Sequence, residues 1–190
     1  KSDVYDIASI TKIASTVPLL MQMVDKGDLN LDDELGKYLK LDSANKEHLI
    51  IREILAHQAG LYPWIPFYQQ TLVKDSVSGL MQLRDTLYSK EFSKEFPIKV
   101  TDNIYLHHSY PDSIIQQIIN SELLEKKEYR YSDLGYYLLK EIIEKKYGKA
   151  INSIAADEFY TKLGMENLGY LPQGRVQKER LVPTEDDFLF

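Results

Sequence analysis

The 190-residue sequence contains no cysteine. This absence excludes disulfide bonds, thiolate metal sites and a cysteine nucleophile, although it does not choose between a reducing and an oxidising compartment. The sequence also lacks an apolar run long enough to span a membrane, and it shows no secretory signal peptide. Basic residues are outnumbered, because 23 Lys and Arg face 29 Asp and Glu for a net charge of −6. This balance argues against nucleic acid as a partner.

The amino-acid composition is typical of a globular protein, with 44% hydrophobic and 27% charged residues. The length fits one domain or one large piece of one. Because the first residue is Lys1 rather than methionine, we interpret residues 1–190 as a single-domain fragment of a longer protein.

Helical periodicity dominates the sequence. Beyond a first helix at 9–24, the predicted elements are helices at 48–57, 73–93, 112–119, 134–147 and 151–160, and extended or irregular chain at 95–108. The first helix is predicted from Ser9 to Val24, with Asp6 or Ser9 as its cap, a kink or break at Pro18 and an end at Gly27. Its apolar residues, which we interpret as core, are Ile10, Ile13, Ala14, Val17, Leu20, Met21 and Val24.

Two polar residues of the first helix are not explained by packing. Ser9 and Lys12 are three residues apart, which places an amine beside a hydroxyl on one helical face. A serine hydroxyl needs a neighbouring base to become a nucleophile, and a lysine with a lowered pKa can be that base. As a bare pattern, Ser-x-x-Lys also occurs by chance on solvated helix faces.

The histidines carry weaker signals. His57, at a predicted helix end, fits a catalytic base or ligand, but we favour a histidine that interacts with the last carbonyls of its helix. Adjacent His107 and His108 rarely point at one ion, so we predict no metal site and no cofactor. The aromatic loop 62–68 fits a cleft wall and a small cluster under a loop equally well.

Several blocks of sequence, in order along the chain, resemble the serine β-lactamase and penicillin-binding-protein family. They lie at 6–12, 20–33, 51–61, 131–136 and 159–170. The branch that they resemble is the class C-like one, which includes D-alanyl-D-alanine carboxypeptidases and esterases. The resemblance implies an α+β fold of which this mainly α chain carries the helical region and the nucleophile helix, with most of the antiparallel sheet absent.

The resemblance also implies roles for four residues. Ser9 would be the acylated nucleophile, Lys12 its base, and Tyr131 the partner of Lys12 in proton transfer. Asp133 stands where the family motif Tyr-x-Asn has a substrate-binding asparagine. Two roles are open for Asp133: it pairs with Lys12 and holds it charged, or it selects substrates with a cationic or donor group. We hypothesise that it shifts specificity away from penicillins.

The third family motif, Lys-Thr-Gly or His-x-Gly, does not occur in this chain. In the family it lies on a strand that supplies the second oxyanion donor. We therefore expect the chain alone to be nearly inactive and, with apolar helix faces uncovered, prone to self-association.

The function implied is a serine hydrolase that acts through an acyl-enzyme on a cell-wall D-alanyl peptide, a β-lactam or an ester. The alternative is a non-catalytic peptidoglycan- or muropeptide-binding module that retains the fold. The resemblance is closest to modules that follow a family-three glycoside hydrolase, which implies such a domain upstream in the same polypeptide. It also implies a small-molecule or muropeptide partner, no membrane span, and a periplasmic or secreted location.

Overall fold

A computed structural model describes residues 3–41 and 44–184. The helices in these residues are α1 (Val17–Asp25), α2 (Ala44–Glu47), α3 (Ile51–Leu55), α4 (Tyr110–Asn120), α5 (Leu134–Tyr147) and α6 (Ile151–Ala155). Two π-helical segments, Lys12–Thr16 and Ala156–Tyr160, adjoin α1 and α6, and short 3₁₀ segments occupy Leu35–Lys37, Phe67–Thr71, Pro172–Gly174 and Lys178–Arg180. None of the helices described is long and apolar enough to cross a bilayer.

The strands are short and form three small sheets. They are β1 (Val4–Tyr5), β2 (Leu72–Lys74), β3 (Met81–Leu83), β4 (Tyr88–Ser89), β5 (Ile98–Thr101), β6 (Ile104–Leu106) and β7 (Leu181–Val182). β1 pairs with β7 in parallel, β2 with β3 antiparallel, and the third sheet has the antiparallel order β4–β6–β5. The mainly helical character predicted from the sequence is confirmed.

The described residues divide into two compact units. The first consists of 3–63 and 122–184, and the second of 64–121. The core of the first unit is aliphatic, and among its fully buried members are Leu19, Leu35, Ile51, Leu134, Leu138, Leu139 and Ile143. The predicted single domain stays a prediction.

Helix α5 organises the first unit, because it contacts the π-helical segment 12–16, α3 and α6. The approach of α3 is close at Gly135. A Cβ atom built on Gly135 would lie 2.5 Å from Ile54 Cγ2 and 3.2 Å from Leu61 Cδ1. Only a residue without a side chain fits there, which places the start of α5 against α3.

The helix that begins at Ile10 changes from π to α geometry at Val17, immediately before Pro18. Proline has no N–H to donate to the carbonyl four residues earlier, which belongs to Ala14. The Tyr160 hydroxyl donates to that carbonyl instead, at 2.9 Å. The predicted break at Pro18 is confirmed as this change of helix type.

The core face predicted for this helix is partly wrong. Ile10, Ile13 and Met21 are exposed, whereas the buried residues include Ser15 and Thr16, followed by Leu19, Leu20 and Met23. The reason is that α5 and α6 pack against the side that carries Ser15 and Thr16. A cavity of about 680 Å³ runs along the apolar side of α1. The predicted exposure of apolar helix surface is present, while self-association stays a prediction.

The second unit corrects another prediction. Residues 73–93 do not form a helix but contain part of β2, then β3 and β4. The backbone of this segment pairs between strands, a non-local factor that helical spacing does not report. The extended chain predicted for 95–108 is confirmed as β5 and β6, and its hairpin turn uses Asn103 at a φ of 59°.

Replacing Gly135 by alanine should destabilise the first unit. Overpacking against Ile54 and Leu61 costs about 1–3 kcal/mol, which exceeds the roughly 1 kcal/mol that alanine gains over glycine in a helix. The free energy of unfolding from urea titration should therefore fall. Gly174→Ala is the matched control, because its added Cβ meets no described atom within 4 Å. An unchanged stability of Gly135→Ala would contradict the close approach.

Candidate active site

Ser9 lies immediately before Ile10, the first helical residue, so its backbone N–H and hydroxyl are at the positive end of the helix. The preceding residue, Ala8, has a φ of 43°, which alanine rarely adopts. Asp6 Oδ1 supports this turn by accepting the Ala8 N–H at 2.7 Å. The predicted helix cap is wrong, because the side chain of Asp6 serves the turn and the hydroxyl of Ser9 is used elsewhere.

The Ser9 hydroxyl is next to the Lys12 amine, as the spacing predicted. Lys12 Nζ donates to Ser9 Oγ at 2.9 Å, and the Lys12 N–H donates to the Ser9 carbonyl at 3.0 Å. The exposed serine is therefore held against a lysine by one turn of its own helix.

Tyr131 reaches the same hydroxyl from a segment 122 residues away, with its OH 2.8 Å from Ser9 Oγ. The chain that carries Tyr131 is anchored by its neighbour Ser132, which is buried. Ser132 Oγ donates to the Tyr62 carbonyl at 2.6 Å and accepts the Leu134 N–H at 3.2 Å. These bonds set the start of α5 and direct Tyr131 towards the serine.

Asp133 forms an ion pair with Lys12. The Nζ to Oδ1 distance is 2.6 Å, and the side chains are 17% exposed for Lys12 and 44% for Asp133. Burial lowers the pKa of Lys12, but its hydrogen bonds to Asp133 and Tyr131 and the charge of Asp133 outweigh burial and raise the pKa above 10.5. The structure thus contains the first of the two arrangements considered for Asp133, a carboxylate that holds Lys12 as an ammonium.

Two tyrosine rings complete the surroundings of the ammonium. Lys12 Nζ lies 5.2 Å from the ring centre of Tyr131 and 5.6 Å from that of Tyr136, within the range of cation–π attraction. Burial raises the pKa of the Tyr136 hydroxyl, and the Lys12 charge opposes that effect. Sequence analysis assigned Tyr136 no role, although its position one helical turn after Asp133 was a usable signal.

The interpretation of His57 as a residue that interacts with the last carbonyls of its helix is confirmed for the backbone, because the His57 N–H donates to the Ile54 carbonyl at 3.1 Å. His57 also makes contacts that neither interpretation predicted. It follows the end of α3 with a φ of 57°, and its Nδ1 accepts the Ser132 N–H at 3.2 Å. Its ring lies 4.4 Å from that of Tyr131 and 5.5 Å from that of Tyr136. Burial lowers the pKa of His57. Sequence analysis considered His57 without its spatial neighbours, and no local pattern reports them.

Of the other histidines, His48 pairs with Glu34 in the first unit, whereas His107 and His108 lie in the second. The rings of His107 and His108 stack at 4.4 Å, and His107 Nδ1 is 2.8 Å from Ser109 Oγ. Within residues 3–41 and 44–184, no group of three or more His, Cys, Asp or Glu is arranged to hold a metal ion. The alternatives for the aromatic loop 62–68 stay open.

The arrangement can perform nucleophilic chemistry. An exposed hydroxyl at a helix N-terminus has one amine and one phenol within hydrogen-bond distance. The bond between the two hydroxyls, Ser9 and Tyr131, can run in either direction, so a proton can leave Ser9 towards Tyr131. The helix N-terminus favours negative charge that develops beside the serine.

The model of the family described as Beta-lactamase matches residues 2–180. The chain belongs to the beta-lactamase family. The resemblance drawn from the sequence blocks is therefore confirmed, and so is the β-lactamase and penicillin-binding-protein type of fold.

Curated relatives of this beta-lactamase-family chain have names from cell-wall metabolism. A protein of Escherichia coli K12 named "Putative D-alanyl-D-alanine carboxypeptidase" is 26% identical over 175 residues, which cover 88% of this chain and 34% of that protein. An N-acetylmuramyl-L-alanine amidase of Bacillus subtilis is 25% identical, covering 96% of this chain and 38% of the relative. The chain thus spans little more than a third of the length of these relatives.

Solved structures show the same fold. A Beta-lactamase/D-alanine carboxypeptidase from Yersinia pestis, in complex with citrate, matches with a TM-score of 0.61 and 21% identity, over 96% of this chain and 44% of that one. A class C beta lactamase from Rhodobacter sphaeroides matches with a TM-score of 0.56 and 18% identity, over 92% and 40% of the two chains. The beta-lactamase family is one of serine hydrolases, which agrees with the chemistry available at Ser9.

Replacing Asp133 by asparagine should lower the pKa of Lys12, because the amide keeps the shape but removes the charge that stabilises the ammonium. The pKa is measured by NMR titration of the Lys12 side chain. With the raised pKa, the pair's contribution to stability is complete below pH 10.5, the unfolded value, and is lost as pH rises through the higher folded value. Asp133→Asn should show a smaller loss of stability over that alkaline window.

Asp157→Asn provides the control for this measurement, because Asp157 pairs with Lys149 on the surface at 3.0 Å. It should leave the Lys12 titration unchanged. A Lys12 pKa that stays the same in Asp133→Asn would show that the ion pair does not set the charge of Lys12.

Proposed function

We propose that the protein is a serine hydrolase that forms an acyl-enzyme on Ser9. The observation that supports this most directly is the convergence on Ser9 Oγ of Lys12 Nζ at 2.9 Å and the Tyr131 hydroxyl at 2.8 Å. An amine from the same helix and a phenol from a segment 122 residues away thus meet at an exposed serine. A nucleophile needs adjacent proton carriers of this kind.

In the proposed reaction, Ser9 Oγ attacks the carbonyl carbon of the substrate and forms a C–O bond. The bond to the leaving nitrogen or oxygen breaks, and the proton lost from Ser9 ends on that leaving atom. Water then attacks the ester on Ser9, donates a proton back to Oγ and releases the acid. The backbone N–H of Ser9 donates no hydrogen bond in the described part of the chain, so we assign it to the oxyanion as a donor.

The route of the proton is constrained by Asp133. Lys12 as an ammonium cannot accept a proton, and Asp133 favours that state. Tyr131 touches Ser9 directly, so we propose that it takes the Ser9 proton while it passes its own phenolic proton to the leaving atom. The nearby Lys12 ammonium stabilises the negative charge that develops during this relay. Lys12 then acts with Tyr131 as a proton-transfer pair rather than as a lone base.

The substrate class we propose is a D-alanyl peptide of the cell wall, a β-lactam or an ester. The support is the names of the relatives, a D-alanyl-D-alanine carboxypeptidase and an N-acetylmuramyl-L-alanine amidase. On the same ground we propose a periplasmic or secreted location and a muropeptide partner. The proposed chemistry uses groups of the chain itself and calls for no cofactor. A glycoside hydrolase domain upstream remains part of the proposal.

A covalent label tests the nucleophile. Treatment with a fluorophosphonate and with a fluorescent penicillin should add one label to Ser9, seen by intact-protein and peptide mass spectrometry. Ser9→Ala should abolish it, whereas Ser153→Ala, which alters an exposed serine of α6, should retain it. Absence of any adduct, in the complete encoded polypeptide and with both reagents, would reject the hydrolase and favour the muropeptide-binding alternative.

The same labelling compares the 190-residue chain with the complete encoded polypeptide. One backbone donor at Ser9 leaves the oxyanion short of a second, and loss of one such donor costs about 10²–10³ in rate. We therefore expect the chain alone to be labelled much more slowly. Equal rates would show that the third family motif is not needed for acylation.

The carboxylate of Asp133 is proposed to disfavour penicillins. A carboxylate cannot donate a hydrogen bond to a substrate carbonyl, but an amide can. Asp133→Asn should therefore increase the rate of Ser9 acylation by penicillin relative to a simple ester, measured as the ratio of the two kcat/KM values. An unchanged ratio would reject this role, and Asp157→Asn should leave the ratio as in the unaltered protein.

A further inference from the structure

His57 contacts the chain on both sides of Tyr131. Its carbonyl accepts the Arg130 N–H at 2.8 Å, and its Nδ1 accepts the Ser132 N–H at 3.2 Å. One residue thus satisfies the backbone donors that flank Tyr131, and it comes from a segment more than 70 residues earlier in the chain. Such a bracket restricts the rotation of the peptide that carries Tyr131.

The imidazole ring adds a third contact. It lies against the Tyr131 ring at 4.4 Å with an interplanar angle of 37°, and it is half-buried. The centre of the imidazole ring also lies 5.5 Å from that of the Tyr136 ring and 6.3 Å from that of the Tyr129 ring, the latter in a T-shaped arrangement. The ring therefore supports the Tyr131 side chain as well as its backbone, while Tyr131 is otherwise exposed at its outer face.

The backbone of His57 is unusual in the same place. Its φ of 57° lies in the left-handed region, which a non-glycine residue adopts at a cost. This conformation lets the carbonyl of His57 meet Arg130 while the side chain meets Ser132. Glycine would adopt this conformation at no cost, but it would provide neither the Nδ1 acceptor nor the ring.

We propose that His57 is a positioning residue that holds the Tyr131 hydroxyl at Ser9 only while its imidazole is neutral. The expected effect on rate rests on the proposed function, whereas the expected effect on the position of Tyr131 does not. Because Nδ1 accepts from Ser132, the proton of the neutral ring is on Nε2. Protonation of Nδ1 would set one N–H against another and break this side of the bracket.

The charged and titratable groups around the ring decide at which pH the change occurs. Burial lowers the pKa of His57 below 6.5, and the Lys12 ammonium acts in the same direction, whereas the Asp133 carboxylate opposes them. The other groups that face it are the hydroxyls of Tyr129, Tyr131 and Tyr136. The neutral form is thus favoured at neutral pH, and the bracket should open as pH falls below 6.5.

Two substitutions separate the acceptor from the rest of the residue. His57→Asn keeps a side-chain acceptor near the position of Nδ1 and tolerates a positive φ, but it does not titrate. His57→Gly keeps only the backbone. His48→Asn is the matched control, because His48 is an exposed histidine of the first unit that contacts Glu34.

The measurement is the rate of Ser9 labelling by a fluorophosphonate, as a function of pH, in the complete encoded polypeptide. At pH 7.5, His57→Gly should lose about tenfold or more, since small misplacements of reacting groups cost up to about 10². His57→Asn should lose much less. The unaltered protein and His48→Asn should show an acid limb below pH 6.5 that His57→Asn lacks. The same acid limb in His57→Asn, or full activity in His57→Gly, would overturn the proposal.

NMR spectroscopy tests the positioning role of His57 without a measurement of activity. In the unaltered protein at pH 7.5, the ¹⁵N shift of His57 Nδ1 should be that of an unprotonated ring nitrogen. Contacts between the Tyr131 ring and the Ser9 β-protons should weaken as His57 protonates. Persistence of these contacts below the His57 midpoint would refute the positioning role even if Ser9 is never labelled. Absence of labelling with the expected NMR behaviour would refute only the hydrolase.

Discussion

One cation holds the candidate site together. The Lys12 ammonium, 17% exposed, lies 2.6 Å from the Asp133 carboxylate and 2.9 Å from the Ser9 hydroxyl. An ammonium with little access to water needs an opposite charge nearby, because an unpaired one is expensive to bury. This requirement draws the start of α5 to the start of the Ser9 helix, and Tyr131 is carried to Ser9 with it.

The scaffold around that ion pair is built for close approach. Gly135 lets α3 come against α5, and Ser132 pins the chain in front of α5 to the Tyr62 carbonyl. In the Ser9 helix, Pro18 has no N–H to donate to the Ala14 carbonyl, which accepts the Tyr160 hydroxyl. The irregular π turn that follows Ser9 is therefore stabilised by a contact from a distant segment.

The same ion pair limits the chemistry of the site. A carboxylate that keeps lysine charged stabilises the fold of this region but takes away a free amine as base. In the proposed mechanism a phenol that contacts the serine, Tyr131, carries the proton instead. His57, which holds both flanks of Tyr131, then becomes more important to the site than its position at a helix end suggests.

Local sequence was sufficient to predict several features of the fold and of the candidate site. The 3.6-residue period located α5, Gly148 ends that helix at a φ of 65°, and the spacing of Ser9 and Lys12 predicted their contact. Alternation predicted extended chain in the segment that forms β5 and β6. These features depend on neighbours within a turn or a hairpin, where residues that are close in sequence are also close in space.

Where prediction failed, a long-range contact decided the outcome. Residues 73–93 became strands through pairing, and the Ser9 helix buried Ser15 and Thr16 instead of Ile10 and Ile13 because α5 and α6 pack on that side. Sequence alone was sufficient to name Ser9, Lys12, Tyr131 and Asp133, the residues that meet in the candidate site. Tertiary structure alone decided that Asp133 takes Lys12 and that His57 holds Tyr131, because hydrogen bonds and charges act over a few ångströms of space whatever the separation along the chain.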